Sequence, residues 1–110
     1  MGVTRGTIVA VVVPGAYGKP RPALVIQSDL FQDHPSVTIL PITSELRDAP
    51  LFRVSVAPNL ANGLQQPSQI MVDKVQTIPN EKTGGVIGSL DEATMLTVSR
   101  SLALFLGFAG

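Results

Sequence analysis

Apolar and polar positions along the first three quarters of this chain fall into short runs, interrupted by clusters rich in Gly, Pro, Asn and Asp. Short apolar or alternating runs bounded by such residues are the signature of strands. They predict strands over residues 7–13, 23–28, 37–42, 52–57 and 69–75, with a short one at 86–87. The first three are nearly continuous apolar stretches, so both of their faces should be covered, by a core on one side and by a helix or second subunit on the other. Pro22 can only begin its strand because it lacks the amide that an interior ladder position needs, which leaves Arg21 at a loop-to-strand junction. The connections over residues 14–21, 29–36, 43–51 and 58–67 are polar and punctuated by Gly or Pro.

After the last of these strands the period changes. Ser89 followed three residues later by Glu92 reads as a capping box, in which a hydroxyl and a carboxylate satisfy the first amides of a helix. Met95, Val98, Leu102 and Phe105 then recur at three- and four-residue spacing and Gly107 supplies a stop, which predicts a helix over about residues 90–106. Leu96, Ala103, Leu104 and Leu106 widen the apolar stripe beyond one face, so the helix should pack on the sheet and also meet another element. Five or more strands followed by a single helix describe one mainly β domain spanning residues 1–110, its sheet curled and partly barrel-like, with no repeat and no linker.

Composition sharpens this picture. Hydrophobic residues make up 45% of the 110 and charged residues only 15%, which is apolar enough to suggest surface buried against a partner. The absence of cysteine excludes disulfides, thiolate metal sites and a cysteine nucleophile. The longest apolar run, over residues 8–14, is far short of the roughly 20 residues needed to span a bilayer, and no cleavable leader pattern precedes it, so a cytoplasmic protein is expected. Eight basic side chains balance eight acidic ones. Nucleic-acid binders usually carry a basic excess, so any action on RNA would need these basic groups concentrated on one face. No cluster of His, Asp and Glu has metal-ligand spacing, and Gly15, Gly18 and the pair Gly84-Gly85 form no phosphate-cradling motif, so no cofactor is expected. His34 is the single histidine, in an Asp-His-Pro turn, which excludes a histidine-pair mechanism within one subunit.

Three positions carry candidate chemistry. Arg21, in Lys19-Pro20-Arg21-Pro22 before Ala23-Leu24-Val25-Ile26, offers a rigid fork of donors suited to phosphate oxygens, or else a surface ion pair. Thr43 and Ser44, directly after the third predicted strand, can bond a phosphate or relay a proton, or cap their loop through backbone bonds. Asp73 closes a run in which period-two geometry sets Gln69, Met71 and Asp73 on one face and Ile70 and Val72 on the other. Pointing outward, it could serve as a general base, orient Arg21, or pair with Lys74 or Arg53. Tyr17, beside Lys19, could stack an RNA base or act as a lid, and Arg47, in Glu45-Leu46-Arg47-Asp48, suits a local ion pair or a phosphate contact.

The Arg-Pro pair ahead of an Ala-Leu-Val-Ile strand, the run Pro41-Ile42-Thr43-Ser44 and Asp73 together resemble the MazF/PemK family of toxin endoribonucleases, over about residues 6–107. The resemblance implies an SH3-like barrel with a terminal helix, of the CcdB/MazF/PemK kind, forming a two-fold homodimer. It implies metal-independent cleavage of single-stranded RNA to a 2′,3′-cyclic phosphate and a 5′-hydroxyl, with neutralisation by a cognate antitoxin protein. Arg21, Thr43 and Asp73 would be catalytic, and Tyr17, Lys19, Ser44, Arg47 and Gln69 would meet the substrate. Met71 stands where some members carry an arginine, which shifts the burden of charge stabilisation to Arg21. Two other readings are a non-enzymatic CcdB-like toxin that binds DNA gyrase through its C-terminal residues and a catalytically silent binding module of the same fold.

Overall fold

Residues 3–12 and 18–109 are described by the computed structural model. Seven strands and one helix follow one another along the chain: β1 (Thr7–Val11), β2 (Arg21–Val25), β3 (Ser36–Thr43), β4 (Arg53–Val56), β5 (Ser68–Met71), β6 (Gln76–Pro79), β7 (Thr83–Ser89) and α1 (Glu92–Leu106). All pairings are antiparallel, in the order β4-β5-β3-β2-β1-β7. Strand β3 is the spine: one edge pairs with β2, and the other pairs with β6 through residues 36–39 and with β5 through residues 42 and 43. The mainly β architecture and the C-terminal helix agree with the sequence reading. Barrel closure does not, since no pairing among the described residues joins β4 to β7.

Period-two geometry explains the continuous apolar runs. Ile8, Leu24, Leu40, Ile42, Val54 and Ile70 enter one core, and their neighbours Val9, Val11, Ala23, Val25 and Ile39 enter a second cluster with Val37 and Ile78. Both faces of β1–β3 are therefore buried within the chain itself. Each such side chain stabilises the fold by roughly 1.5–3 kcal/mol. Helix α1 lies over the first core, with Val98 buried and Met95 and Leu102 packed beside it. Phe105, placed on the same stripe by its spacing, is instead 48% exposed.

Several elements depart from expectation. Strand β2 starts at Arg21, opposite Val11. The strand expected through residue 75 stops at Met71, where Val72–Lys74 forms a 3₁₀ turn with Val72 buried, and the chain re-enters the sheet as β6. Strand β7 spans Thr83–Ser89, longer than the short strand expected at 86–87. The helix cap is Asp91 rather than Ser89, which ends β7 opposite Thr7. The Asp91 carboxylate accepts from the Thr94 amide at 3.0 Å and the Thr94 hydroxyl at 2.7 Å. Gly107, at φ 84°, closes the helix as expected. No helix among the described residues is long and apolar enough to cross a membrane.

Candidate active site

Antiparallel pairing sets Ala23 of β2 opposite Pro41 of β3. Continuing that register by two residues brings Arg21, at the start of one strand, level with Thr43, at the end of the other. Both line an open groove of about 950 Å³. Arg21 is exposed and Pro22 half-buried, so the guanidinium projects from a rigid strand start into solvent. Thr43 is half-buried, and its Oγ1 accepts from the Glu45 amide at 3.0 Å. That bond uses one lone pair and leaves the hydroxyl hydrogen for a ligand, so the cap and the groove contact are compatible. Ser44 follows, exposed on the groove wall.

A further part of the groove lining comes from the end of β5 and the turn after it. Because Val72–Lys74 turns as a 3₁₀ helix, side chains there step by about 120° and the alternation of the strand is lost. Met71 and Lys74 line the groove, whereas Asp73 does not. Its Oδ1 is buried without a hydrogen-bond partner among the described residues.

Gln69 does not face the groove either. It is buried, with Oε1 accepting from the Arg47 amide and from Arg53 Nη1, both at 3.0 Å, and Nε2 donating to the Arg47 carbonyl at 2.9 Å. Arg47 thus has its backbone anchored while its residue surface is exposed, and Lys19 is exposed ahead of β2; neither lines the groove. Tyr17 lies outside the described residues. His34 is exposed, and its Nδ1 accepts from the Ser36 amide at 3.1 Å.

Five polar groove residues escaped sequence reasoning in this role: Glu45, Gln65, Gln66, Ser68 and Lys74. Lys74 adjoins Asp73, and Glu45 follows Ser44 directly, so proximity to named candidates was the available signal. The two glutamines sit in the polar loop before β5, whose path depends on Gly63. That residue has φ +68°, and a Cβ on it would stand 2.1 Å from the Ile87 carbonyl oxygen. Two cations, Arg21 and Lys74, thus face one carboxylate, Glu45, on a chain of zero net charge. Such a cleft suits a phosphodiester, with amides and hydroxyls placed to meet its bases and sugars.

Residues 4–106 match the family described as PemK-like, MazF-like toxin of type II toxin-antitoxin system. A probable endoribonuclease MazF of Mycolicibacterium smegmatis is 45% identical over 107 residues, covering 96% of this chain and 98% of that protein. The Mycobacterium tuberculosis toxin MazF-mt6 superposes with a TM-score of 0.77 at 29% identity, covering 94% of this chain and 97% of that one. An endoribonuclease in complex with its cognate antitoxin, from a mycobacterial species, shares the fold with a TM-score of 0.80 at 21% identity, covering 99% of each chain.

Proposed function

We propose, from the premise that this chain belongs to the PemK-like, MazF-like family and is a MazF endoribonuclease toxin of a type II toxin-antitoxin system, that RNA is cleaved in the groove beside Arg21 and Thr43. The observation that carries this reading is the β2–β3 register, which brings a guanidinium and a hydroxyl from separate strands to one edge of a rigid sheet. Attack of a ribose 2′-hydroxyl on the adjacent phosphorus forms the new O–P bond and builds negative charge on the non-bridging oxygens. Arg21 meets that charge with fixed N–H donors, and Thr43, helped by Ser44, donates a hydrogen bond or relays a proton. The Thr43 hydroxyl takes up the 2′ proton and passes its own to the departing 5′-oxygen, so that breaking this P–O bond leaves a 2′,3′-cyclic phosphate and a 5′-hydroxyl. Asp73, on the turn beside Lys74, keeps its carboxylate out of the groove and acts on the cations only through its charge, while Lys74 holds a flanking phosphate. With Arg21 and Lys74 both in the groove to meet phosphate charge, the step is read as metal-independent, which the assay in EDTA below checks.

Single-stranded RNA is the substrate class, because a 2′-hydroxyl can align with the scissile bond only where the backbone is free to rotate. The protein acts as a homodimer and is neutralised by an antitoxin segment that covers the same groove with carboxylates in place of phosphates. Lys19, Arg47 and Tyr17 extend the contact along the RNA, while Gln69 contributes indirectly.

Incubation of the purified protein with long single-stranded RNA in EDTA tests the reading. Discrete cuts ending in cyclic phosphate are expected from the native protein and not from Arg21→Ala. Linear 3′-phosphate formed without a cyclic intermediate, or undiminished cleavage by folded Arg21→Ala, would overturn it.

A further inference from the structure

We propose that Arg53 and Gln69 are positioning residues that hold Thr43 and the turn after it in the geometry used for cleavage, an inference that rests on reading Thr43 as a donor in the groove. In the sheet, Thr43 lies directly opposite Gln69, and Arg53 lies opposite Met71, two residues further along β5. Directly opposed residues share a face, as do residues two apart, so Thr43, Gln69 and Arg53 project on the same side. The hydrogen bonds join them to one stretch of chain. Arg53 Nη1 donates to Gln69 Oε1 at 3.0 Å and to the Glu45 carbonyl at 3.1 Å. Gln69 clamps Arg47 through both its amide and its carbonyl, at 3.0 and 2.9 Å. The Glu45 amide in turn donates to Thr43 Oγ1. Every second residue from Thr43 to Arg47 is therefore tied to this pair, directly or through the neighbouring turn.

The energetics point away from a role in folding alone. Arg53 is only 8% exposed, its Nη1 bonds go to neutral oxygens, and its Nε has no partner among the described residues. A guanidinium buried on these terms is costly, and apolar side chains of similar volume would serve packing better. What an apolar pair could not do is fix the carbonyl of Glu45 and both backbone groups of Arg47, and so the rotamer and hydrogen-bond direction of Thr43. Arg53 also places a positive charge behind the groove wall, where RNA can feel it without displacing it.

The test is a kinetic double-mutant cycle on a short single-stranded RNA, comparing wild type, Thr43→Val, Arg53→Met and the double variant at a temperature where each is folded by circular dichroism. Arg53→Met should lower kcat about tenfold or more while KM changes by less than about twofold, the pattern of a lost transition-state geometry. In the Thr43→Val background the same substitution should cost less than about twofold, because its effect passes through a hydroxyl no longer present. Arg53→Lys, which keeps the charge and one donor, should recover part of kcat. If Arg53→Met does not fold, Gln69→Glu takes its place in the cycle: it is nearly isosteric, pairs with Arg53, and loses only the donor to the Arg47 carbonyl. Additive losses in a cycle where Thr43→Val is itself strongly impaired would overturn the positioning role alone. Full activity of Thr43→Val would remove the reading of Thr43 and this inference with it.

Discussion

At the residue scale the groove separates two kinds of cation. Arg21, level with Thr43, should act mainly on kcat, and Arg21→Ala should lower it by about a hundredfold or more with the fold intact, the loss typical of a principal charge-stabilising donor. Lys74, exposed in the same groove, should act on binding. Lys74→Ala is expected to raise KM several-fold and to reduce the slope of log affinity against log salt by about 0.7, one phosphate contact on a single strand. Binding measured on an uncleavable RNA across a salt series checks this, and an unchanged slope would assign Lys74 to solvent. Gly63 carries a structural constraint of the same size. With φ +68° and the Ile87 carbonyl oxygen 2.1 Å from a would-be Cβ, Gly63→Ala should destabilise the fold by roughly 2 kcal/mol or more in denaturant unfolding, and displace Gln65 and Gln66 from the groove.

At the element scale α1 depends on a cap two residues beyond the one its sequence suggests. The Thr94 hydroxyl and amide hold the Asp91 carboxyl below the usual carboxylate range. A group with a lowered folded pKa stabilises the native state above its unfolded pKa, and that contribution is lost as pH falls through the lower, folded value. The Tm advantage of wild type over Asp91→Ala should therefore be constant near neutrality and shrink in the acid range below the ordinary pKa of 3.8, down to what a neutral acceptor supplies. Asp91→Asn, which keeps an acceptor but cannot titrate, should retain most of the stability and lose this pH dependence. Thermal unfolding of the three proteins at a series of pH values measures both effects. Equal Tm for wild type and Asp91→Ala at neutral pH would deny the cap any stabilising role.

At the scale of the whole molecule, the apolar surplus of the sequence is spread over the surface, with one run at the C-terminal end. The strands β1–β3 bury both faces internally, so they do not account for it. Leu30, Leu51, Leu60 and Val86 are exposed singly or in pairs, whereas the end of α1 gathers a longer run: Leu104, Phe105 and Leu106 are each close to half exposed, and Phe108 is 83% exposed. A second copy of the chain is the occupant proposed for this end, since an isologous contact buries the patch on both protomers at once. Sedimentation should show a dimer at micromolar concentration and a shift toward monomer for Phe105→Glu combined with Phe108→Glu. A native protein that sediments as a monomer at that concentration would instead leave the patch to the antitoxin.

Local chemistry was enough to determine the mainly β domain, its C-terminal helix, the glycine stop and the family. Strand periodicity, the αL preference at Gly107 and the Arg-Pro and Pro-Ile-Thr-Ser runs are all written within a few residues of one another. The same locality made Arg21 and Thr43 legible, because each sits at the end of a strand whose boundary is marked by proline or by a change of polarity. Tertiary structure decided the rest. Whether the chain from Met71 continues as a strand or turns depends on burying Val72 beneath α1 and on pairing β6 with the free half of β3, contacts distant in sequence. That turn is what exchanges Asp73 for Lys74 on the groove wall. Gln69 and Arg53 are residue types that usually face solvent, yet the chain after Thr43 folds over them, and the Gln69 side-chain amide bonds to the Arg47 backbone and to Arg53. Side-chain direction and hydrogen-bond partner are set by which segments meet, and a linear pattern specifies those meetings only once the register of the whole sheet is in place.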